Sequence, residues 1–407
     1  MAVVMYVALI MLMQFGASEL MASFYVAMLF FPWVMKSYLY NMVRRSGSFK
    51  RNLHVVESLL FLCLMGMAVY ISEAKVKVYL LFLQLLLLSC LCAWHELLSR
   101  LYYSRVLSLH LQPLFMNTKM FSSQVVLVVT YGLLIIVAGF FEVFFRSYQK
   151  AWAMESSLVA GGFLLLLVLN VIFLPSPRIN DPYRPETLTH TVRKELHVLS
   201  RIQHKPHVFT VLLSLFLLLL PQSLMFNTRV FFLFASADEG GLGCSVQDVG
   251  FAQGTIGVLA FSFGITLGHY LCQKHGERPL FWPTAIVLTL SPLSYMLMAH
   301  NPQPDQMLLL CCTTFFAQFC FGFGLTACRS FVVYISEQRY RYTTNLLYVP
   351  LVASLMIVPM ALSGWLCQTL GYPLFFTLTA CLAPVAWLAV AMSKTKEQLL
   401  KIEPKNE

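Results

Sequence analysis

Charged side chains are scarce in this chain. The 28 Lys and Arg and 18 Asp and Glu make up only 11% of 407 residues, under half of what a water-soluble domain carries. So few charges cannot cover a globule of this length, which excludes a soluble protein. Polar stretches are equally rare, and Pro175–His207 is the only sizeable one. The 11 cysteines contain no Cys-x-x-Cys and no His/Cys spacing suited to a metal. All but Cys244 lie in apolar runs, where Cys acts as a small hydrophobe. No disulfide framework, metal or cofactor is expected. The basic residues are scattered over many short loops, a poor footprint for nucleic acid.

Apolar blocks are abundant. Residues are 58% apolar, and mean hydropathy is +0.72. Runs such as Val208–Leu220 or Leu80–Cys92 contain no charge. About 20 such residues, each rising about 1.5 Å, match a hydrocarbon core of about 30 Å. The pattern predicts an all-α polytopic membrane protein. Its spans are read at 18–41, 53–72, 78–100, 120–145, 156–175, 208–234, 247–272, 281–299, 306–330, 341–368 and 373–393. Ala2–Met13 is a twelfth apolar segment, too short as written to cross. It reads as the second half of a first helix that begins upstream. A signal peptide is the rival reading, with Gly16–Ser18 at the cleavage site, but no Lys or Arg precedes the apolar stretch.

Lys and Arg mark the cytoplasmic loops of a membrane protein. One set of alternate loops, with the C-terminal tail, holds 23 of them; the other holds Lys75, Lys77, Arg146 and Lys150, and Arg229 is left inside a span. That alternation places the C-terminus in the cytoplasm and requires an even number of crossings. The four prolines Pro175, Pro177, Pro182 and Pro185 end one helix, and Thr187–Gln203 has the apolar stripe of an amphipathic helix. The layout is a six-helix bundle over 1–175, a cytoplasmic linker over 176–207, a second six-helix bundle over 208–393 and a basic cytoplasmic tail over 394–407. It is similar to the layout of the major facilitator superfamily, in which two halves rock around a central site.

Three segments narrow the resemblance: Phe31–Arg51 (FPWVMKSYLYNMVRRSGSFKR), Ala93–Leu107 (AWHELLSRLYYSRVL) and Leu220–Leu267, with its GGLGCS loop before a Gly-rich helix. In these the chain resembles the AmpG-type muropeptide permeases, a bacterial branch of that superfamily related to acetyl-coenzyme A transporters. Tyr342–Phe376 is similar to that family's last two helices. The resemblance implies transport of a muropeptide or related sugar-peptide in peptidoglycan recycling, through a proton symporter of the bacterial inner membrane. The chain departs from the pattern in three places. Gln222 stands where relatives commonly carry Glu, Arg100 where they carry a second Asp, and Trp94 where they carry Thr.

Polar groups inside spans are the candidate site residues, because each costs free energy to bury in lipid. Arg229 can hold a carboxylate or phosphate through its planar fork; snorkelling, or pairing with Glu142 or Asp238, is the bland alternative. Gln222 lies seven residues before Arg229, on the same helix face, and Asn227 is nearby; both offer neutral donors and acceptors. Glu96 and Arg100 are an i,i+4 pair beside His95, and imidazole is suited to carrying a proton. The three are the candidate proton-coupling residues, with an ion pair closing the helix end as the rival. Lys36, Arg44 and Arg45 are candidate gating residues. Ser245 and Asp248 form a capping box after the turn at Gly243. Gly250, Gly254, Gly257, Gly264 and Gly268 form a small-residue strip for close helix packing or a hinge.

The expectation is a monomeric inner-membrane carrier, not an enzyme, that imports a small, polar, anionic solute by alternating access. Two rivals remain. One is a carrier-derived sensor that binds without turnover. The other is a polytopic transferase, which needs an acid–base cluster at a membrane edge that Pro175–His207, despite its four histidines, does not offer.

Overall fold

The computed structural model describes residues 6–35, 43, 49–73, 75–107, 118, 122–175, 208–301, 307–335 and 341–392. Every regular element among them is helical. Lipid offers no hydrogen bonds, so an apolar segment must satisfy its backbone internally, and a helix does this within one segment. Helices α1 (Ala8–Gln14), α2 (Glu19–Leu29) and α3 (Phe31–Val34) open the chain. Next come α4 (Phe49–Ile71), α5 (Val78–Val106), α6 (Leu134–Phe145) and α7 (Tyr148–Phe173). After the linker come α8 (Val208–Phe234), α9 (Val246–Val249), α10 (Gly257–His275), α11 (Glu277–His300), α12 (Met307–Ile335), α13 (Arg341–Leu370) and α14 (Tyr372–Met392). Two π-helical turns, Val129–Leu133 before α6 and Gly250–Ile256 between α9 and α10, make each of those spans continuous. Ten of the described spans are long and apolar enough to cross a membrane.

Large apolar side chains face outward along these spans, among them Phe173, Phe209 and Leu308, each more than 70% exposed. In lipid such exposure costs nothing, which is why the chain needs no polar coat.

Most helix ends fall within a few residues of expectation, and one differs instructively. The span expected from 156 begins at Tyr148. Arg146 takes a left-handed conformation (φ 50°) that ends α6, and the Ser147 hydroxyl then accepts from the Lys150 amide at 3.4 Å to start α7. Lys150 and Glu155, which read as loop, ride in the first two turns of a helix. The expected amphipathic helix at Thr187–Gln203, the basic tail and the gating residues Lys36, Arg44 and Arg45 lie outside the described residues.

Packing follows small residues. α4 packs against α5 and α7, α11 against α12 and α14, and α10 against α12. Contacts that cross the linker run between α2 and α13, and between the two π-helical turns. The glycine strip divides its work. A Cβ on Gly250 would press Ile135 and Ile136, and one on Gly254 would collide with the Tyr131 carbonyl; Gly257, Gly264 and Gly268 instead face α12.

The GGLGCS loop folds back onto the end of α8. Amides of Leu242 and Cys244 donate to the carbonyls of Phe232 (3.0 Å) and Leu233 (2.7 Å), which the helix itself leaves without donors. Gly240 and Gly243 supply the positive φ this needs, and a Cβ on Gly241 would strike the Ala235 carbonyl. Ser245 and Asp248 then form the expected capping box.

Candidate functional site

α8 carries three of the expected site residues, and the structure gives each a different neighbourhood. Pro292 interrupts α11 and has no N–H to offer the Leu288 carbonyl one turn back. Gln222 supplies the missing donor: its Nε2 lies 2.9 Å from that carbonyl, and its Oε1 accepts from Ser291 at 3.5 Å. Gln222 is therefore largely occupied in bracing a helix. Asn227, fully buried, donates to the Met360 carbonyl of α13 at 3.4 Å, while its Oδ1 has no partner among the described residues.

Arg229 is buried, with 9% of its surface exposed. Its guanidinium lies over the Phe226 ring, 5.4 Å from the centroid, and its Nε makes no hydrogen bond among the described residues. Neither acid considered for it from sequence is its partner. Glu142 instead accepts from Gln14 at 3.0 Å, and Asp238 is exposed beyond the end of α8. The surroundings of Arg229 are phenolic. Its charge acts on Tyr6, just before α1, and on Tyr131, in the first π-helical turn. Those two rings stand 4.8 Å apart, and the Tyr6 hydroxyl is buried without a described partner. Tyr295 of α11 lies within electrostatic reach of Tyr6, and Gln222 is tied to the same helix through the Leu288 carbonyl. The Tyr295 hydroxyl accepts from Gln253 of the second π-helical turn, and Gln253 reaches Thr314 at 3.3 Å and Gln318 at 3.5 Å on α12.

One cation, three phenols, two amides and a hydroxyl thus converge from segments on both sides of the linker. A π-helical turn spreads five residues over one hydrogen-bonded ring and so shifts side-chain register. Tyr131 and Gln253 both sit in such turns. The sequence reading found Arg229 from its charge but missed the tyrosines and Gln253, which look like ordinary span residues until the chain folds.

The second expected cluster is rearranged. Glu96 and Arg100 do pair, at 3.0 Å, and the Trp33 indole donates to the other Glu96 oxygen at 3.2 Å. His95 turns away from them. Its Nε2 stands 3.3 Å from Glu57 of α4, a carboxylate with no exposed surface that the sequence reading missed. Asn170 of α7 donates to the same oxygen at 2.6 Å, and His54 is 3.6 Å from the other. Glu155 is a second buried carboxyl missed from sequence; one of its oxygens has no partner among the described residues. Among those residues, too, no group of His, Cys, Asp and Glu has the arrangement of a metal site.

No protein-family model matches the chain, and no curated protein matches it in sequence. Its fold has many solved counterparts. A D-xylose–proton symporter superposes with a TM-score of 0.68 at 17% identity, covering 97% of this chain and 93% of its own. The nucleoside transporter NupG gives 0.68 at 13%, covering 96% and 94%. A point mutant of the peptide transporter POT, in complex with sulfate, gives 0.67 at 11%, covering 98% and 92%. The described residues form a helical, multi-pass membrane protein with the major facilitator fold, ten of its helices being long and apolar enough to cross a membrane.

Proposed function

We propose that this protein is a secondary transporter that moves a small, polar, anionic solute across a membrane by alternating access. The observation that carries the reading is Arg229. A buried guanidinium with an unsatisfied Nε, and no described acidic side chain hydrogen-bonded to it, is costly in lipid unless something anionic visits it. Its planar fork suits a carboxylate or phosphate. Tyr6 and Tyr131 offer hydrogen bonds for the rest of the molecule, Gln222 braces α11, and the free Oδ1 of Asn227 is a further acceptor on the side of α8 that meets α13.

Proteins of the same fold are described as transporters of a sugar, nucleosides and peptides, which supports a small polar solute. Within that class our specific candidate is a muropeptide or related sugar-peptide, on the strength of the GGLGCS and FPWVMK segments. The rocking units are the bundles 1–175 and 208–393, joined by the linker 176–207. The basic loops and the tail 394–407 face the cytoplasm of a bacterium, where Lys36, Arg44 and Arg45 form the inner gate of a monomer that imports its solute.

Uptake by proteoliposomes decides this. A panel of labelled anhydro-muropeptide, N-acetylated sugar, dipeptide and sugar phosphate is offered to wild type and to Arg229→Ala and Arg229→Lys. Hydrogen bonds to a charged group are worth about 1.5–3 kcal/mol, so the Ala variant loses roughly tenfold to a hundredfold in apparent affinity for an anionic solute. The Lys variant keeps the charge and loses the fork, so it falls between. Uptake of an anionic solute that is unchanged in both variants overturns the assignment.

A further inference from the structure

The carboxylate of Glu57 has no part in anion binding, and its surroundings are unlike those of a structural ion pair. It is completely buried two turns into α4. Oε1 takes the Asn170 amide at 2.6 Å and faces His95 Nε2 at 3.3 Å. Among the described residues Oε2 accepts no hydrogen bond, and His54 Nδ1 stands 3.6 Å from it. Neither nitrogen of His54 has a described hydrogen-bond partner.

Of the fixed charges on the same helix, Arg51 is exposed and Lys50 donates to the Leu174 carbonyl at 2.6 Å. On α5, Glu96 and Arg100 close on each other. The ionisable groups of α7 are Tyr148, Lys150 and Glu155, and the last of these is about 22 Å along the helix from Asn170. No lysine or arginine among the described residues forms an ion pair with Glu57. A bare carboxylate at zero exposure costs several kcal/mol, and here the groups placed to neutralise it are two imidazoles. Imidazole is the side chain that changes charge between about pH 5 and 8. The imidazoles are also the partly open members of the cluster, 20% exposed for His54 and 24% for His95. A proton therefore reaches the sealed carboxylate through them.

We infer that Glu57, His54 and His95 form a proton-binding site, in which the buried carboxylate and the two imidazoles bind a proton as one coupled unit. Protonation converts a bare buried anion into an imidazolium–carboxylate pair; deprotonation restores the anion and loosens the tie between α4 and α5. Use of this site to couple solute movement to protons rests on the carrier reading above. It moves the coupling carboxylate from Glu96, which serves Arg100 and Trp33, to Glu57.

The test needs no solute. The purified full chain in detergent, without buffer, is titrated from pH 8 to pH 5 against an indicator dye. Glu57→Gln keeps the shape and removes the anion that favours the imidazolium, so its proton uptake moves to lower pH than that of wild type. His54→Gln combined with His95→Gln leaves the Glu57–Asn170 contact in place and serves if the first variant does not fold; it binds about one proton fewer than wild type. Proton uptake equal to wild type in the folded variant shows a bracing role only and overturns the inference. If the chain carries none of the panel solutes, yet Glu57→Gln still moves the proton uptake to lower pH, the carrier reading falls and the proton site stands.

Discussion

At the scale of single residues, the polar groups of α8 divide between support and function, and their partners tell them apart. Gln222 is matched to a defect: Pro292 leaves the Leu288 carbonyl without a donor, and Gln222 fills the gap at 2.9 Å. Removing a partner from a buried carbonyl costs about 1–3 kcal/mol. Gln222→Leu is therefore expected to lower thermal stability in detergent by about that much. Pro292→Ala returns the missing N–H, so Gln222→Leu should cost markedly less in the Pro292→Ala background. Equal costs in both backgrounds would show that the pairing with Leu288 is incidental. Arg229 has no such match, which makes it the functional candidate. Its candidacy was legible in the sequence because an Arg in a span is rare and costly. Glu57 was not, because His95 and Asn170, which meet its carboxylate, lie 38 and 113 residues away and only helix packing brings them together.

At the scale of elements, two π-helical turns and a folded-back loop set the geometry around that arginine. The turns approach so closely that Gly254 rests against the Tyr131 carbonyl, with no room for a methyl group. Overpacking a tight contact costs about 1–3 kcal/mol, so Gly254→Ala should lower the melting temperature and move Tyr131 away from Arg229. Gly162→Ala, at a position with open space, is the matched control and should be neutral in a melting experiment.

The loop after α8 is the one place where the glycine pattern, the capping box and the turn were all readable beforehand. Each of those is a local requirement of backbone conformation. The same loop places Cys244 outside the spans, where burial and then the Asp248 charge push its thiol up to about 11. A raised thiol value means little thiolate near neutrality and a rate that climbs with pH. Labelling of Cys244 by a membrane-impermeant maleimide, scored by tryptic mass spectrometry, should rise about tenfold per pH unit from pH 7 to beyond pH 9. An ordinary thiol levels off near its value of about 8.5. A plateau by pH 9 would contradict the enclosed setting of this loop.

At the scale of the whole molecule, what was readable was whatever lipid enforces. The span lengths follow from the cost of placing charge or bare backbone in hydrocarbon. The start of α7 was misplaced for the same reason, since Lys150 and Glu155 look like loop residues until they are seen in helical turns. How the bundles touch was beyond reach, because small-residue contacts leave no periodic mark that distinguishes an interface between bundles from one within a bundle. One such interface joins α2 to α13. Ser23 and Ser363 meet there with their hydroxyls 3.5 Å apart, Gly364 lies against the Glu19 carbonyl, and the Tyr372 hydroxyl donates to the Glu19 carboxylate. These contacts lie at the start of α2 and towards the end of α13, and the proposed alternating access requires them to part in every cycle. Ser23→Cys combined with Ser363→Cys places two thiols within bonding reach. Oxidation of the double variant should stop uptake in proteoliposomes, and a reducing agent should restore it, while either single variant stays active throughout. If the cross-linked protein, confirmed by mass spectrometry, transports at the wild-type rate, the bundles do not separate at this contact and the rocking mechanism is wrong for this chain.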